Sequence, residues 1–162
     1  MKNKNRVGLF FALAALSLSM LNLGLIISKN HYKPQVAKLE QQVEELKELL
    51  VFKRIVKWDK DYLELEDGTK VTIEMSESDC CAWAGGEFKD VKLDAVITDV
   101  EIGKLNKFDN GDGTTCRNTV TIYHNQNPIA LAECEANDGN GGYYYSIGSL
   151  VIGDIHFPVV EA

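Results

Sequence analysis

The residues best equipped for chemistry are four cysteines, Cys80, Cys81, Cys116 and Cys134, in a chain of 162 residues. Two of them are adjacent in S-D-C-C-A-W-A-G-G (78–86), which reads as a loop closed by Gly85 and Gly86. A C-x-x-C spacing would indicate zinc or dithiol redox chemistry; a bare C-C does not. Adjacent side chains ordinarily point apart, so Cys80 and Cys81 are poorly placed to ligate one metal together. His124 and His156, with Cys116 and Cys134, are the further zinc ligands on offer, but no structural-site spacing joins them. In an oxidising compartment four cysteines would instead form two disulfides. Residues 119–124 and 129–134 read as a hairpin through N-Q-N-P, and pairing His124 with Ile129 puts Cys134 opposite Thr119. Cys116 then lies about 10 Å further along the strand, at ~3.4 Å per residue. A disulfide requires Cα atoms within roughly 7 Å. The expectation there is one staple from each of Cys80 and Cys81 to Cys116 and Cys134, and in a reducing compartment four free thiols.

Hard oxygens come from D-N-G-D-G-T-T (109–115) and E-A-N-D-G-N-G-G-Y-Y-Y (135–145). Asp109, Asp112, Asp138, Glu135 and Asn140 could be read as calcium ligands, yet their order fits no EF-hand loop. Gly, Asn and Asp are also what turns require, and two turns are the stronger expectation. Tyr143, Tyr144 and Tyr145, placed on a strand, would alternate between its faces. With Trp58, Trp83 and Phe88 they would supply an exposed aromatic patch, the material of binding hot spots. Catalysis has little to draw on. The body holds only His124 and His156, and no G-x-S-x-G, H-E-x-x-H or Walker loop is present. The reading is a non-enzyme without a cofactor.

These residues need elements to position them, and the N-terminal third supplies an anchor and a stalk. Residues 7–28 contain no charge and follow the basic flank 1–6 with Lys2, Lys4 and Arg6. A run of that length spans about 30 Å of hydrocarbon as a helix. An uncleaved signal anchor is expected, with the rest of the chain outside the cytoplasm by the positive-inside bias. Residues 29–52 form a juxtamembrane segment and a helix opening at Pro34, a suitable first helical position. Val36, Leu39, Val43, Leu46 and Leu50 are spaced 3, 4, 3, 4. That seam would pair two chains as a parallel homodimer. The alternative is an amphipathic helix packed on its own domain.

Residues 53–162 switch to a period of two. Tyr62 to Glu74 alternates around Asp67-Gly68, the pair that suits a type I′ hairpin. Residues 54–58, 95–102, 119–124, 129–134, 143–152 and 155–160 read as further strands. A mainly β domain follows, a small antiparallel sandwich or open barrel behind the anchor and the short coiled-coil-like helix. The body carries 10 Lys/Arg against 20 Asp/Glu, whereas residues 1–52 carry 7 against 4. An acidic body without a basic stripe repels phosphate backbones, which argues against nucleic acid as a partner.

Three stretches, C-C-A-W-A-G-G-E-F, L-D-A-V-I-T-D-V-E-I and I-A-L-A-E-C-E-A-N-D-G-N-G-G-Y-Y-Y, together resemble a small domain of unknown function encoded by many tailed phages. The resemblance runs in consistent order over residues 54–152. It implies a phage or prophage origin and brings no activity with it. Many members lack an anchor, so residues 1–52 depart from the pattern. The expected function is a membrane-anchored module presenting an acidic β-domain to a protein partner at the cell envelope, for host-envelope interference or superinfection exclusion. Its rivals are a self-associating scaffold and a cytoplasm-facing zinc-binding domain.

Overall fold

The computed structural model describes residues 37–109 and 111–162. The basic flank 1–6, the apolar run 7–28, residues 29–35 and Val36 of the seam lie outside the described residues. Among the described residues no helix is long and apolar enough to cross a membrane. The chain divides into two units, 1–41 and 42–162.

Helix α1 covers residues 37–50. Leu46 and Leu50 are fully buried in the core of the second unit, while Leu39 is 54% exposed. The apolar stripe therefore docks on its own domain at its C-terminal end. At Leu46 and Leu50 this is the packed amphipathic helix named as the alternative to the seam, because both side chains already have core partners. Gln42 Nε2 donates to the Pro158 carbonyl at 2.7 Å, and Lys47 Nζ lies 2.8 Å from Asp99 Oδ1. That pairing holds the Asp99 carboxyl below its usual range and raises Lys47.

Ten strands follow: β1 Ile55–Asp59, β2 Tyr62–Leu65, β3 Lys70–Ser78, β4 Trp83–Lys89, β5 Asp99–Ile102, β6 Asn106–Asp109, β7 Thr114–His124, β8 Asn127–Asn137, β9 Ser146–Ile152 and β10 Ile155–Glu161. The first sheet has the order β1-β2-β3-β9-β10, and the second β4-β8-β7-β5. β6 pairs with β7 over Thr114 to Arg117, where β5 has ended. All pairings are antiparallel. Inward side chains of both sheets, among them Leu63, Val71, Leu150, Val120, Ile122 and Ala132, share one core. The segments leading into β1 and β5 also join at a corner, where Phe52 N–H donates to the Ile97 carbonyl, Ile97 N–H donates to the Lys53 carbonyl and Arg54 bridges Val96. The mainly β, antiparallel expectation holds, and of the sandwich and the open barrel the chain forms two sheets.

Several local expectations change. The β2–β3 connection is not a two-residue type I′ turn, which needs positive φ at both Asp67 and Gly68. Only Gly68 has it (φ 82°), and Asp67 instead accepts from Thr69 N–H at 2.9 Å and pairs with Lys53 at 2.7 Å. The β7–β8 hairpin turns on Asn125-Gln126, so His124 faces Asn127. A bulge between Ile122 and Tyr123 then sets Cys134 opposite Asn118, not Thr119, with Cys116 opposite Ala136. A one-residue change of register moves side chains to the other face, and here it puts both cysteines on the inner one.

The stretch 78–86 is not a glycine-closed loop. A turn at 79–82 carries the chain from β3 in one sheet to β4 in the other, and Gly85 and Gly86 sit inside β4. Glycine is required there by contact. A Cβ on Gly85 would come 2.7 Å from the Trp83 indole, and one on Gly86 would strike the Glu133 carbonyl of the neighbouring strand. β10 bulges between Pro158 and Val160, and the Val159 carbonyl accepts from Asn118 Nδ2 at 3.0 Å inside the core. No buried side-chain nitrogen or oxygen lacks a hydrogen bond among the described residues.

Candidate functional site

Strand alternation sends Gly85 and Glu87 of β4, Glu133 and Glu135 of β8, and Arg117 and Thr119 of β7 to the outer face of the second sheet. The ladder aligns Gly85 with Glu135 and Arg117, and Glu87 with Glu133 and Thr119. Glu87, Glu133, Glu135, Arg117 and Thr119 of these rows line an open groove of about 730 Å³, together with Trp83, Lys89, Asn106, Lys60 and Asp61. With no side chain at Gly85, the Trp83 indole lies down over the strand. It remains 49% exposed.

The charges within the groove are organised. Arg117 Nε donates to Glu135 Oε2 at 2.6 Å, and its guanidinium sits 5.6 Å from the centre of the Phe108 ring. Phe108, on β6, is 48% exposed. One row away, Glu87 and Glu133 face each other across the ladder, a like-charge arrangement that is unfavourable by itself. Lys89 resolves it, with Nζ 2.7 Å from Glu133 and 2.9 Å from Glu87. Those contacts raise the Lys89 ammonium well above its ordinary value and lower Glu87. The surface thus alternates an aromatic, a paired guanidinium and a clamped ammonium along one sheet face. It can bind polar and apolar groups together.

The rest of the aromatic patch is redistributed. Phe88 is 2% exposed and belongs to the core, so it is withdrawn from the patch: in β4 it alternates inward. Tyr143, Tyr144 and Tyr145 precede β9 and do not lie on a strand; Gly139, Gly141 and Gly142 at positive φ turn the chain before them. Tyr143 is 85% exposed, Tyr145 42%, and Tyr144 is partly buried. Trp58, at 39% exposure, lies on β1 of the other sheet. The groove residues that sequence reasoning missed are Arg117, Glu133 and Lys89, with Phe108 beside the groove against Arg117. The alternation of 115–121 and 131–137 carries the signal of Arg117 and Glu133, masked because β7 and β8 were read as shorter strands, whereas Lys89 and Phe108 lie on β4 and β6.

The cysteines do not form the expected staples. All four are free, with Cys80 and Cys81 exposed and Cys116 and Cys134 buried. The latter two face the core from adjacent strands, two residues apart diagonally, and away from the solvent-facing turn that carries Cys80 and Cys81. Burial pushes the Cys134 thiol up to about 12 and raises Cys116 in the same direction. His124 Nδ1 lies 2.7 Å from the Val96 carbonyl, so that nitrogen carries the proton, and His156 is exposed on β10. Asp109 caps Gly111 N–H at 2.9 Å, and Asp138 accepts from Thr114 N–H at 2.6 Å, which lowers its carboxyl. The Asp112 carbonyl accepts from Gly141 N–H. Glu135 is paired with Arg117, and Asn140 opens a short 3-10 turn. The acidic loops are tied to their own backbone, as turns. Among the described residues no three His, Cys, Asp or Glu side chains are grouped to hold a metal.

A family model for a domain of unknown function, DUF7448, matches residues 48–151, and the chain belongs to that family. The match begins within α1 and ends in β9. No curated protein matches, and no solved structure does.

Proposed function

We propose that this member of the DUF7448 family is a binding module, not an enzyme, and that it docks a protein segment in the groove on the outer face of its second sheet. The observation that carries the reading is the pairing of exposed Trp83 and Phe108 with organised charges at Arg117–Glu135 and Lys89. Aromatic and arginine side chains are the residue types that dominate protein-binding energy. A segment offering an apolar side chain to Trp83 and a carboxylate to Arg117 or Lys89 fits this chemistry.

The uncharged run 7–28 behind Lys2, Lys4 and Arg6 supports a membrane anchor, with the domain presented on the far side. The phage resemblance supports a prophage product whose partner lies in the host envelope, where it excludes a competing phage or interferes with an envelope machine.

A photo-crosslinking residue at Thr119, in the groove, is compared in cells with one at Thr72, on the outer face of the first sheet. Thr119 should yield a defined adduct, and Trp83→Ala or Arg117→Ala should weaken it. A hot-spot loss of about 2 kcal/mol corresponds to roughly 30-fold. Equal crosslinking from Thr72, or adducts indifferent to both substitutions, would refute the site. Adducts to a second copy of the chain alone would favour the scaffold.

A further inference from the structure

We infer that Cys80 and Cys81 are a reversible modification site, a vicinal dithiol that closes to a disulfide by exchange with an external disulfide of the glutathione class. The inference goes beyond the binding role and does not depend on it.

The geometry departs from the rule that adjacent side chains diverge. Cys81 takes a positive φ of 68°, and this turn of the backbone brings the two Sγ atoms to 3.0 Å. Non-glycine residues hold that conformation only where their surroundings determine it. Here the surroundings are identifiable. Asp79 N–H donates to the Tyr145 carbonyl, Ala82 N–H to Asp79, and Cys80 N–H to the Asp79 carboxylate at 2.9 Å. The Cys81 carbonyl packs against Gly139, leaving no space for a side chain at that position. The turn, which runs from β3 into β4, is thus fastened to the segment before β9 at Tyr145 and Gly139, while both thiols remain exposed. Cys116 and Cys134 are 2% exposed, so an external disulfide meets only the vicinal pair.

The step balances as follows. One protein thiolate attacks the external disulfide RSSR, forming a mixed disulfide and releasing RS⁻. The neighbouring sulfur, as its thiolate, then attacks the protein sulfur of that adduct and expels the second RS⁻. The protein pair is oxidised by two electrons, the external disulfide is reduced to two thiols, and the two protons pass to the departing thiolates. Exchange rates follow the thiolate fraction. Cys81 raises the Cys80 thiol above its ordinary value, so the reaction accelerates as pH rises.

The test titrates the full chain with oxidised against reduced glutathione at mildly alkaline pH, followed by acid quench, alkylation and tryptic mapping. Cleavage after Lys70 and Lys89 isolates Cys80 and Cys81 together, apart from Cys116 and Cys134. The expected result is loss of two of the four alkylatable thiols, both in that peptide, whose mass falls by two hydrogens with no glutathione retained. Cys81→Ser should instead trap a glutathione adduct on Cys80, and Cys80→Ser one on Cys81. The inference is overturned if both thiols stay alkylatable across the titration or a glutathione adduct persists on the unsubstituted chain. Bridges from either cysteine to Cys116, to Cys134 or to a second chain overturn it equally.

Discussion

Leu50→Ala separates a helix that completes the domain from one that zips two chains together. Leu50 is fully buried beside Leu46, which is also fully buried, at the C-terminal end of α1. Removing three carbons from such a site forfeits roughly 2.4 kcal/mol of transfer free energy at about 0.8 kcal/mol per carbon. The cavity left behind brings the loss to about 3 kcal/mol, within the range for buried leucines. That is a shift of roughly 150-fold in the folding equilibrium, and a sizeable share of the 5–15 kcal/mol typical of a domain. Leu39→Ala, at a position 54% exposed, should cost under about 0.5 kcal/mol. The assay is equilibrium urea unfolding at two protein concentrations a hundredfold apart. Docking predicts a large, concentration-independent loss for Leu50 and almost none for Leu39. Similar losses at both positions, with midpoints that move with concentration, would refute the docked helix and restore the seam.

Gly86→Ala should destabilise by about 2–3 kcal/mol, because its Cβ meets the Glu133 carbonyl, which belongs to backbone and cannot swing away; hydrogen exchange should speed up along β4 and β8 first, and a neutral variant would sink the close-approach account. The buried Cys134 thiol, at about 12 folded against about 8.5 unfolded, contributes stability that is complete below the unfolded value. Above it the unfolded chain loses the proton first, so unfolding measured at stepped alkaline pH should show stability falling about 1.4 kcal/mol per pH unit faster than in Cys134→Ala. Parallel curves for the two proteins would remove the burial argument.

Much of the fold was legible because period-two alternation needs only side-chain polarity. The strands around Asp67-Gly68, the paired runs at 119–134 and the final hairpin are read directly from it. β4 was illegible because W-A-G-G has the composition of a loop. Only the indole lying over Gly85 and the carbonyl facing Gly86 show why glycine belongs in that strand. β6 escaped because N-K-F-D is exposed at all four positions and carries no alternation. The candidate groove was hidden for a related reason. Its charged residues look like an ordinary solvated face until the register of β4, β8 and β7 sets them side by side.

What the amino-acid order determined by itself is local: the uncharged N-terminal run, the amphipathic stripe of α1, the acidic balance of the body and the period of its strands. These depend on neighbours within a few residues, where composition and spacing act alone. Tertiary structure decided which partner each local feature meets. It assigned Leu46 and Leu50 to their own core, moved Phe88 inside while Trp83 stayed at the surface, and buried two thiols while leaving two exposed. One bulge between Ile122 and Tyr123 set Cys116 and Cys134 on the same inner face, and one positive φ at Cys81 brought its sulfur beside that of Cys80. The reason is physical: in a sheet, a single-residue offset carries every following side chain to the opposite face.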